Sequence, residues 1–234
     1  YSTHAADNMS HEHGSQVKTK VNKALRLPFI ISICLVFLDQ ASKLWIKSNL
    51  ALGESIVLTE WFQLHFTENP GMAFGIEWGG IIGKYILSSF RVIAILGILW
   101  YMFRLAKGGA RQFVLISFGV VLAGALGNVL DSLFYGLIFD KGLVYNEHYN
   151  QWVMYSGVAE FNTIGYAPML LGNVVDMLYF PLWKGVLPSW IPIWGGEYFV
   201  FFRPIFNVAD SCVTIGVILL YLSSRKAENW GNSK

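Results

Sequence analysis

Four apolar runs dominate this chain of 234 residues. Each approaches the roughly 20 apolar residues that a helix needs to cross a lipid bilayer. Backbone amides inside hydrocarbon must bond within their own segment, which favours an α-helix for every run. The sequence therefore predicts four transmembrane helices: Pro28 to Ile46, Ile81 to Phe103, Phe113 to about Leu133, and Ile205 to Leu222.

The low charge of the chain supports a membrane protein. Charged residues make up 14% of the sequence and apolar residues 54%, whereas soluble domains carry roughly 25% charged residues. The apolar residues are bunched into runs and do not follow an amphipathic period. We therefore expect a polytopic membrane protein with membrane lipid as a partner and no nucleic acid.

Basic residues predict the orientation, because they are enriched in cytoplasmic loops. They precede the first span, fill the link between the second and third spans, and follow the fourth. Both termini are therefore expected in the cytoplasm, as tails 1–27 and 223–234 around a membrane domain 28–222. The residues in question are Lys18, Lys20, Lys23, Arg26, Arg104, Lys107, Arg111, Arg225 and Lys226.

This orientation leaves two outer segments, 47–80 and 134–204. The first contains the β-prone stretches Ile56–Thr59 and Phe62–Phe66 and the turn sequence Asn69-Pro70-Gly71, which predict a small β-cradle. The second is rich in aromatic residues and proline, so we expect an interfacial loop or helix along the headgroups. The predicted fold class is a membrane all-α protein with a small extracytoplasmic β element.

An Asn-x-x-Asp frame occurs three times, at Asn128–Asp131, Asn173–Asp176 and Asn207–Asp210. A carboxylate near hydrocarbon is costly to maintain and indicates a functional site. The first and third frames lie near the outer ends of predicted spans, and the second could reach the same level. The alternative is that each frame caps a helix or bonds across the helix bundle.

Carboxylates that share a small, poorly solvated space hold one proton between them, because their charges repel. One carboxylate can then take a proton from water as it attacks a peptide carbonyl, while the protonated partner stabilises the developing oxyanion. Asn128 and Asn207 would orient the carboxylates or hold the substrate backbone. This chemistry is that of an intramembrane aspartic protease.

Five short motifs, spread from Asp39 to Asp210, resemble those of the bacterial lipoprotein signal peptidases (signal peptidase II) and occur in the same order. They are Asp39-Gln40-Ala41-Ser42-Lys43, Asn69-Pro70-Gly71-Met72-Ala73-Phe74, Gly124-Ala125-Leu126-Gly127-Asn128 with Asp131, Val174-Val175-Asp176, and Phe206-Asn207-Val208-Ala209-Asp210.

The resemblance implies that Asp176 and Asp210 are the catalytic pair. It implies a substrate too, a prolipoprotein with a diacylglyceryl group on the cysteine that becomes its first mature residue. Cleavage would occur at the outer face of the bacterial cytoplasmic membrane, by a monomer without metal or cofactor. The residues expected to shape and support the pocket are Asn69, Asn128, Asp131, Asn207, Asp39 and Lys43.

Two departures from the family pattern bear on this expectation. Ser132 stands where the family has an arginine, for which Arg203 is a candidate replacement. An insertion of about residues 137–171 precedes Asp176, and it is either a lid or partner surface or a solvated loop. If the insertion displaced Asp176, the pair would be Asp131 with Asp210.

Other polar groups suggest different sites. Lys84 and Ser88 have the spacing of a Ser/Lys protease, although a lysine at a helix end more often extends to the headgroups. His11-Glu12-His13 lacks the ligand spacing of a helical zinc site. Cys34 and Cys212 fall in different spans at unequal depths, so no disulfide is expected.

Two other classes of protein compete with the protease. A small four-helix transporter could use Asp39, Asp131 and Asp210 as a proton or cation relay. A scaffold protein would use the polar residues for packing alone and would tolerate Asp→Asn changes.

Overall fold

The structure, a computed structural model, describes residues 2–71 and 79–231, and the side chains of residues 16, 18–71 and 79–224. The histidines weighed as zinc ligands, His11 and His13, lie outside the described side chains. Part of the second motif, Met72-Ala73-Phe74, lies outside the described residues.

Long helices account for most of the chain. They are α1 (Ser2–Asn49), α2 (Gly80–Lys107), α3 (Gln112–Leu130) and α4 (Val208–Gly231). The third continues through a π-helical turn, Asp131–Tyr135, and a final turn, Gly136–Ile138.

Within the described residues, three helical stretches are long and apolar enough to cross a membrane: Lys18–Asn49, Gly80–Lys107 and Gln112–Ile138. The apolar part of α4, Val208–Ser224, is shorter. The three longest predicted spans are therefore confirmed as apolar helices of sufficient length. The fourth begins later than predicted, because Ile205 and Phe206 form a strand.

The other helix boundaries differ from the predictions as well. The N-terminal segment, expected as a polar tail, is part of α1, and Pro28 lies inside that helix rather than at its start. The third helical stretch reaches Ile138 rather than ending near Leu133. Polar side chains marked the predicted ends, but Asp131 and Ser132 are buried by the protein and the helix continues past them.

The predicted β element is confirmed and is larger than expected. It is an antiparallel sheet of four strands, β1 (Ser55–Thr59), β2 (Phe62–Asn69), β5 (Val174–Tyr179) and β8 (Ile205–Phe206). The strand order is β1-β2-β5-β8.

Two further hairpins lie within residues 134–204. They are β3 (Val144–Asn146) with β4 (Gln151–Val153), and β6 (Trp183–Val186) with β7 (Tyr198–Phe201). Residues 139–207, all of them described, contain no helix, so the helical alternative for this interfacial segment was wrong. Pro181, Pro188 and Pro192 account for this, because proline lacks the amide proton that an α-helix requires.

The chain divides into two compact units. The first comprises Tyr1–Phe37, Arg91–Gly127 and Ala209–Lys234, and the second comprises Leu38–Phe90 and Asn128–Val208.

Small residues hold the helices of the first unit close together. A Cβ on Gly124 of α3 would lie 2.9 Å from the Val213 amide nitrogen of α4. A Cβ on Gly216 of α4 would lie 2.9 Å from the Val121 amide nitrogen. Backbones that approach this closely leave no room for a side chain, as is common where membrane helices pack through small residues.

The core of the second unit lies between the sheet, the end of α1 and the insertion. The insertion is therefore packed structure, and its interpretation as a solvated loop was wrong. The buried members of this core are Ile46, Leu50, Phe66, Tyr135, Phe139, Ala159, Val175 and Met177.

The close approach of α3 and α4 makes Gly124 sensitive to substitution. We expect Gly124→Ala to destabilise the protein by about 1–3 kcal/mol, because overpacking forces a backbone shift. Thermal unfolding in detergent measures the effect. The matched control is Gly97→Ala in α2, where a Cβ meets nothing within 4 Å. Equal melting temperatures for the two variants would contradict this packing.

Candidate active site

Asp176 lies in β5, a strand that is buried among apolar neighbours. Valines precede it at positions 174 and 175, and β-branched residues favour extended backbone. The strand pairs with β2, where Asp176 is opposite Thr67. Only 5% of the Asp176 surface is exposed. A carboxylate in such a setting needs polar partners.

Asn207 supplies one of these partners. Its side-chain amide nitrogen lies 2.7 Å from Oδ1 of Asp176, 3.2 Å from the carbonyl oxygen of Val175 and 3.1 Å from Oδ1 of Asn128. Asn207 is fully buried and directly precedes α4. The amide therefore orients the Asp176 carboxylate and connects it to α3.

Lys43 is the centre of the network on the other side of Asn128. Its Nζ lies 2.9 Å from Oδ2 of Asp39, 2.9 Å from Oδ2 of Asp131 and 2.9 Å from Oδ1 of Asn128. The lysine and both aspartates are at most 1% exposed. Asp39 and Lys43 are four residues apart on one helix face, as the sequence predicted.

Asp131 contacts strand β5, which carries Asp176, directly. Its Oδ2 accepts a hydrogen bond from the Val175 amide at 3.1 Å, and its Oδ1 accepts one from Gln40 Nε2 at 2.8 Å. Strand β8 pairs only with Leu178 and Tyr179 of β5, so Asp131 satisfies a strand amide beyond the end of β8. Asp131 begins the π-helical turn, a distortion that is frequent at functional sites.

Sequence reasoning left Gln40 and Tyr135 without a role. Gln40 donates to Asp131 and also lies 3.1 Å from Asp39 Oδ2, and the Tyr135 hydroxyl lies 3.3 Å from Gln40 Oε1. Gln40 follows Asp39 in the first motif, and its place in that motif could have indicated a role in the network. No sequence signal indicated Tyr135, which lies 95 residues away from Gln40.

Asn69 and Asp210 lie at the ends of their elements. Asn69 ends β2, is paired with Val174, and its Oδ1 accepts a hydrogen bond from the Gly71 amide at 2.9 Å. The predicted turn is thus present, with Gly71 at a φ of +111°. Asp210 is in the first turn of α4, in the first compact unit, and its carbonyl oxygen accepts from Thr214 Oγ1 at 3.0 Å.

The structure therefore brings six predicted residues into one network within the second unit. Asn69 lies on the neighbouring strand, and Asp210 follows Asn207 by three residues. The six are Asp39, Lys43, Asn128, Asp131, Asp176 and Asn207.

Lys84 differs from its predicted position. It is 4% exposed and donates to Oδ1 of Asn173, so it does not extend to the headgroups as expected. Ser88 is also buried, and its hydroxyl donates to the Leu170 carbonyl oxygen at 2.8 Å. These bonds tie α2 to the start of β5 and the end of the insertion, which is a structural role.

Ser132 and Arg203 lie in different surroundings. Ser132 is 1% exposed, and its hydroxyl lies 3.2 Å from the Asn128 carbonyl oxygen in the preceding helical turn. Arg203 is exposed and lines a surface cavity with Trp194 and Glu197. Arg203 therefore does not occupy the buried position next to Asp131.

The cysteines are both free, Cys34 exposed and Cys212 buried. Among the described residues, no group of three or more His, Cys, Asp or Glu side chains could hold a metal ion.

Comparison with known proteins agrees with the geometry. The profile of the family described as "Signal peptidase (SPase) II" matches residues 31–226. The lipoprotein signal peptidase of Porphyromonas gingivalis is 44% identical over 191 residues, which cover 80% of this chain and 78% of that protein. The lipoprotein signal peptidase of Amoebophilus asiaticus is 38% identical over 201 residues, 83% of this chain and 76% of that protein.

Solved structures support the fold. A bacterial membrane enzyme crystallised by the in meso method matches with a TM-score of 0.52 at 23% identity, covering 89% of this chain and 92% of that one. A second such structure matches with a TM-score of 0.51 at 24% identity, covering 84% and 91%. At this identity the match supports the fold alone.

Apolar helices long enough to cross a membrane and the match to a signal peptidase family make this a membrane peptidase. The chain belongs to the signal peptidase II family. It is an aspartic peptidase that removes signal peptides from prolipoproteins. Family membership decides against the transporter and scaffold alternatives.

The buried lysine makes a prediction about stability. Lys43→Met leaves Asp39 and Asp131 buried without a countercharge, and breaking a buried ion pair by removing one partner costs about 3–5 kcal/mol. We expect a correspondingly lower melting temperature in detergent. Lys20→Met, an exposed lysine of the same helix, is the control and should melt like the wild type. A Lys43→Met variant as stable as this control would contradict the network.

Proposed function

We propose that Asp176 and Asp210 are the catalytic pair of this peptidase. One carboxylate takes a proton from a water molecule as that water attacks the scissile carbonyl. The other, protonated, gives its proton to the oxygen that becomes negative and takes it back when the tetrahedral intermediate collapses. The first carboxylate passes the proton that it took from water to the leaving amine. Two neighbouring carboxylates that share one proton can supply both the base and the acid. Their mutual repulsion prevents both from being ionised, so one of them stays protonated.

The observation that carries this proposal is the hydrogen bond between Asn207 and Asp176 Oδ1, at 2.7 Å inside a buried network. A catalytic base requires a fixed orientation, and the amide of Asn207 provides it. Asn207 is also three residues before Asp210 in the chain, which limits the separation of their Cα atoms to about 11 Å.

Asp131 fits a supporting role better than a catalytic one. Both of its oxygens accept hydrogen bonds, from Gln40 and from the Val175 amide, and Oδ2 also pairs with Lys43. A carboxylate whose two oxygens are both engaged by donors of the fold has less capacity to hold and activate a water molecule. This favours Asp176 over Asp131 as the partner of Asp210. Asn69 would complete the pocket from the end of β2.

We further propose that the substrate carries a diacylglyceryl group and that cleavage occurs before the lipidated cysteine. The lipid holds the scissile bond at the membrane surface, so water and carboxylates must meet there. In this arrangement residues 28–222 form the peptidase domain of a monomer, with segments 47–80 and 134–204 outside a bacterial cytoplasmic membrane and both termini inside.

The second outer segment presents apolar side chains that suit membrane lipid. Trp190 is 79% exposed and Ile193 is 87% exposed, in the connection between β6 and β7. Tryptophan and tyrosine are enriched at the level of the headgroups. The hairpin would rest against the bilayer and keep the sheet close to its surface.

Cleavage of a diacylglyceryl-modified prolipoprotein in detergent tests the catalytic pair. We expect Asp176→Asn and Asp210→Asn each to lower kcat by at least about 10³-fold, the scale seen when one member of a catalytic unit is removed. Melting temperatures should stay near the wild-type value, because the amide preserves shape. Cleavage should be unchanged by a metal chelator.

The control for these variants is Glu147→Gln, an exposed carboxylate in the insertion, which should retain full activity. Full activity of Asp176→Asn would rule out this pair, and an inactive Asp131→Asn of normal stability would point to Asp131 instead. Equal cleavage of the unmodified prolipoprotein would rule out recognition of the lipid.

A further inference from the structure

A second buried charge network surrounds Glu68 on β2. Its Oε1 accepts hydrogen bonds from Lys47 and, at 2.9 Å, from the Tyr155 hydroxyl. Its Oε2 accepts from the Leu143 amide and from Asn173 Nδ2, each at 2.8 Å. Four hydrogen bonds saturate a carboxylate. Glu68 therefore joins the end of α1, the insertion and the start of β5.

Lys47 is enclosed from several sides. It is fully buried, pairs with Glu68, and its Nζ lies 2.9 Å from the Lys141 carbonyl oxygen. Aromatic rings complete the enclosure, and an ammonium over the face of such a ring is attracted to it. The ring centroids lie between 5.0 and 5.9 Å from Nζ and belong to Phe66, Phe139, Tyr155 and Tyr166.

Most of these partners come from the insertion. Lys141, Leu143 and Tyr155 all contact the Lys47–Glu68 pair. Burial raises the pKa of the Tyr155 phenol, and the neighbouring Glu68 carboxylate raises it further. The hydroxyl therefore stays protonated at neutral pH and remains a donor to Glu68.

The pair lies on the opposite face of the sheet from Asp176. Glu68 is opposite Val175 in the β2–β5 register, so these two side chains share a face. Asp176 follows Val175 directly and points to the other face. Strand β5 is consequently held on one face by the Glu68 network and on the other by Asn207.

Stability alone is a weak reason for this arrangement. Removing a lysine and a carboxylate from water costs free energy that their attraction offsets only when the geometry is excellent, and an apolar pair often does as well. A saturated ion pair does, however, restrict the segments it joins to a single arrangement. Glu68 has partners in three segments, and one of them, Asn173, lies three residues before Asp176.

We propose that Glu68 is a positioning residue for catalysis. Through its ion pair with Lys47 and its bonds to Leu143, Tyr155 and Asn173, it fastens the insertion to the sheet and fixes the start of the strand that carries Asp176. The insertion thereby supports the active site from the face of the sheet opposite Asp176. This inference rests on the proposed catalytic role of Asp176.

The test compares Glu68→Gln with the matched control Glu160→Gln, an exposed carboxylate of the insertion. Gln keeps the shape of the side chain but places an amide donor where four donors converge. We expect Glu68→Gln to lower kcat for the modified prolipoprotein about tenfold per folded molecule, with KM changed less than twofold. Limited proteolysis within residues 139–171 should also become faster. The control should leave all three quantities unchanged.

A purely structural role predicts a different result. If Glu68→Gln lowers the melting temperature while kcat per folded molecule stays at the wild-type value, the positioning role is wrong. A rise in KM alone would also overturn it, because displacement of a catalytic group acts on kcat. If Asp176→Asn is active in the same assay, the proposed catalytic pair fails, and this outcome is distinct from any result with Glu68.

A milder variant keeps the test informative if Glu68→Gln does not fold. Tyr155→Phe removes one hydrogen bond to Glu68 and retains both the ring over Lys47 and the ion pair. We expect kcat to fall about threefold at unchanged KM, whereas Tyr149→Phe, an exposed tyrosine of the same insertion, should behave like the wild type. Identical kcat values for the two tyrosine variants would contradict the proposal.

Discussion

The buried ammonium of Lys43 is the group on which the site depends. It lies between the carboxylates of Asp39 and Asp131 and bonds to Asn128 as well. Buried charges of one sign are costly, and a shared countercharge makes this arrangement tolerable. Asn128 accepts from Lys43 and from Asn207, so its orientation is determined. The position of Asp176 follows, because Asn207 is bonded to it.

A second lysine, one helical turn further along α1, is the countercharge for a buried carboxylate on the other face of β5. Lys47 pairs with Glu68, and Glu68 reaches the insertion and the first residue before the strand. The end of α1 therefore supplies both buried cations, four residues apart on one side of the helix. The strand that carries Asp176 is held from both faces. This adds to its pairing with β2, since β8 pairs only with Leu178 and Tyr179 at its far end.

The repeated Asn-x-x-Asp frame has no common structure. Asn128 and Asp131 lie in a continuous helical stretch, Asn173 and Asp176 lie at and within a strand, and Asn207 and Asp210 lie at the start of a helix. Helix capping therefore does not account for all three frames, whereas the other part of that alternative, a bond between helices, is present at Asn128, which accepts from Lys43 of α1. What the frames share is one amide and one carboxylate. In the first two frames both side chains belong to buried hydrogen-bond networks, and these networks join different segments of the chain.

The sequence by itself determined the membrane class, three of the spanning helices and the β1–β2 hairpin. It also indicated the six residues of the first network, Asp39, Lys43, Asn128, Asp131, Asp176 and Asn207. Hydropathy and short motifs are local properties, so both can be read without the fold. Only the tertiary structure decided that Lys84 is buried, that the insertion packs against the sheet, and that Glu68 and Tyr135 take part in polar networks. These facts depend on contacts between residues far apart in the chain, such as Glu68 and Asn173, 105 residues apart. The sequence neighbours of Glu68 on β2 are partly polar, and they suggest that its carboxylate is exposed. Only the folded chain brings Lys47 to it and so allows it to be buried.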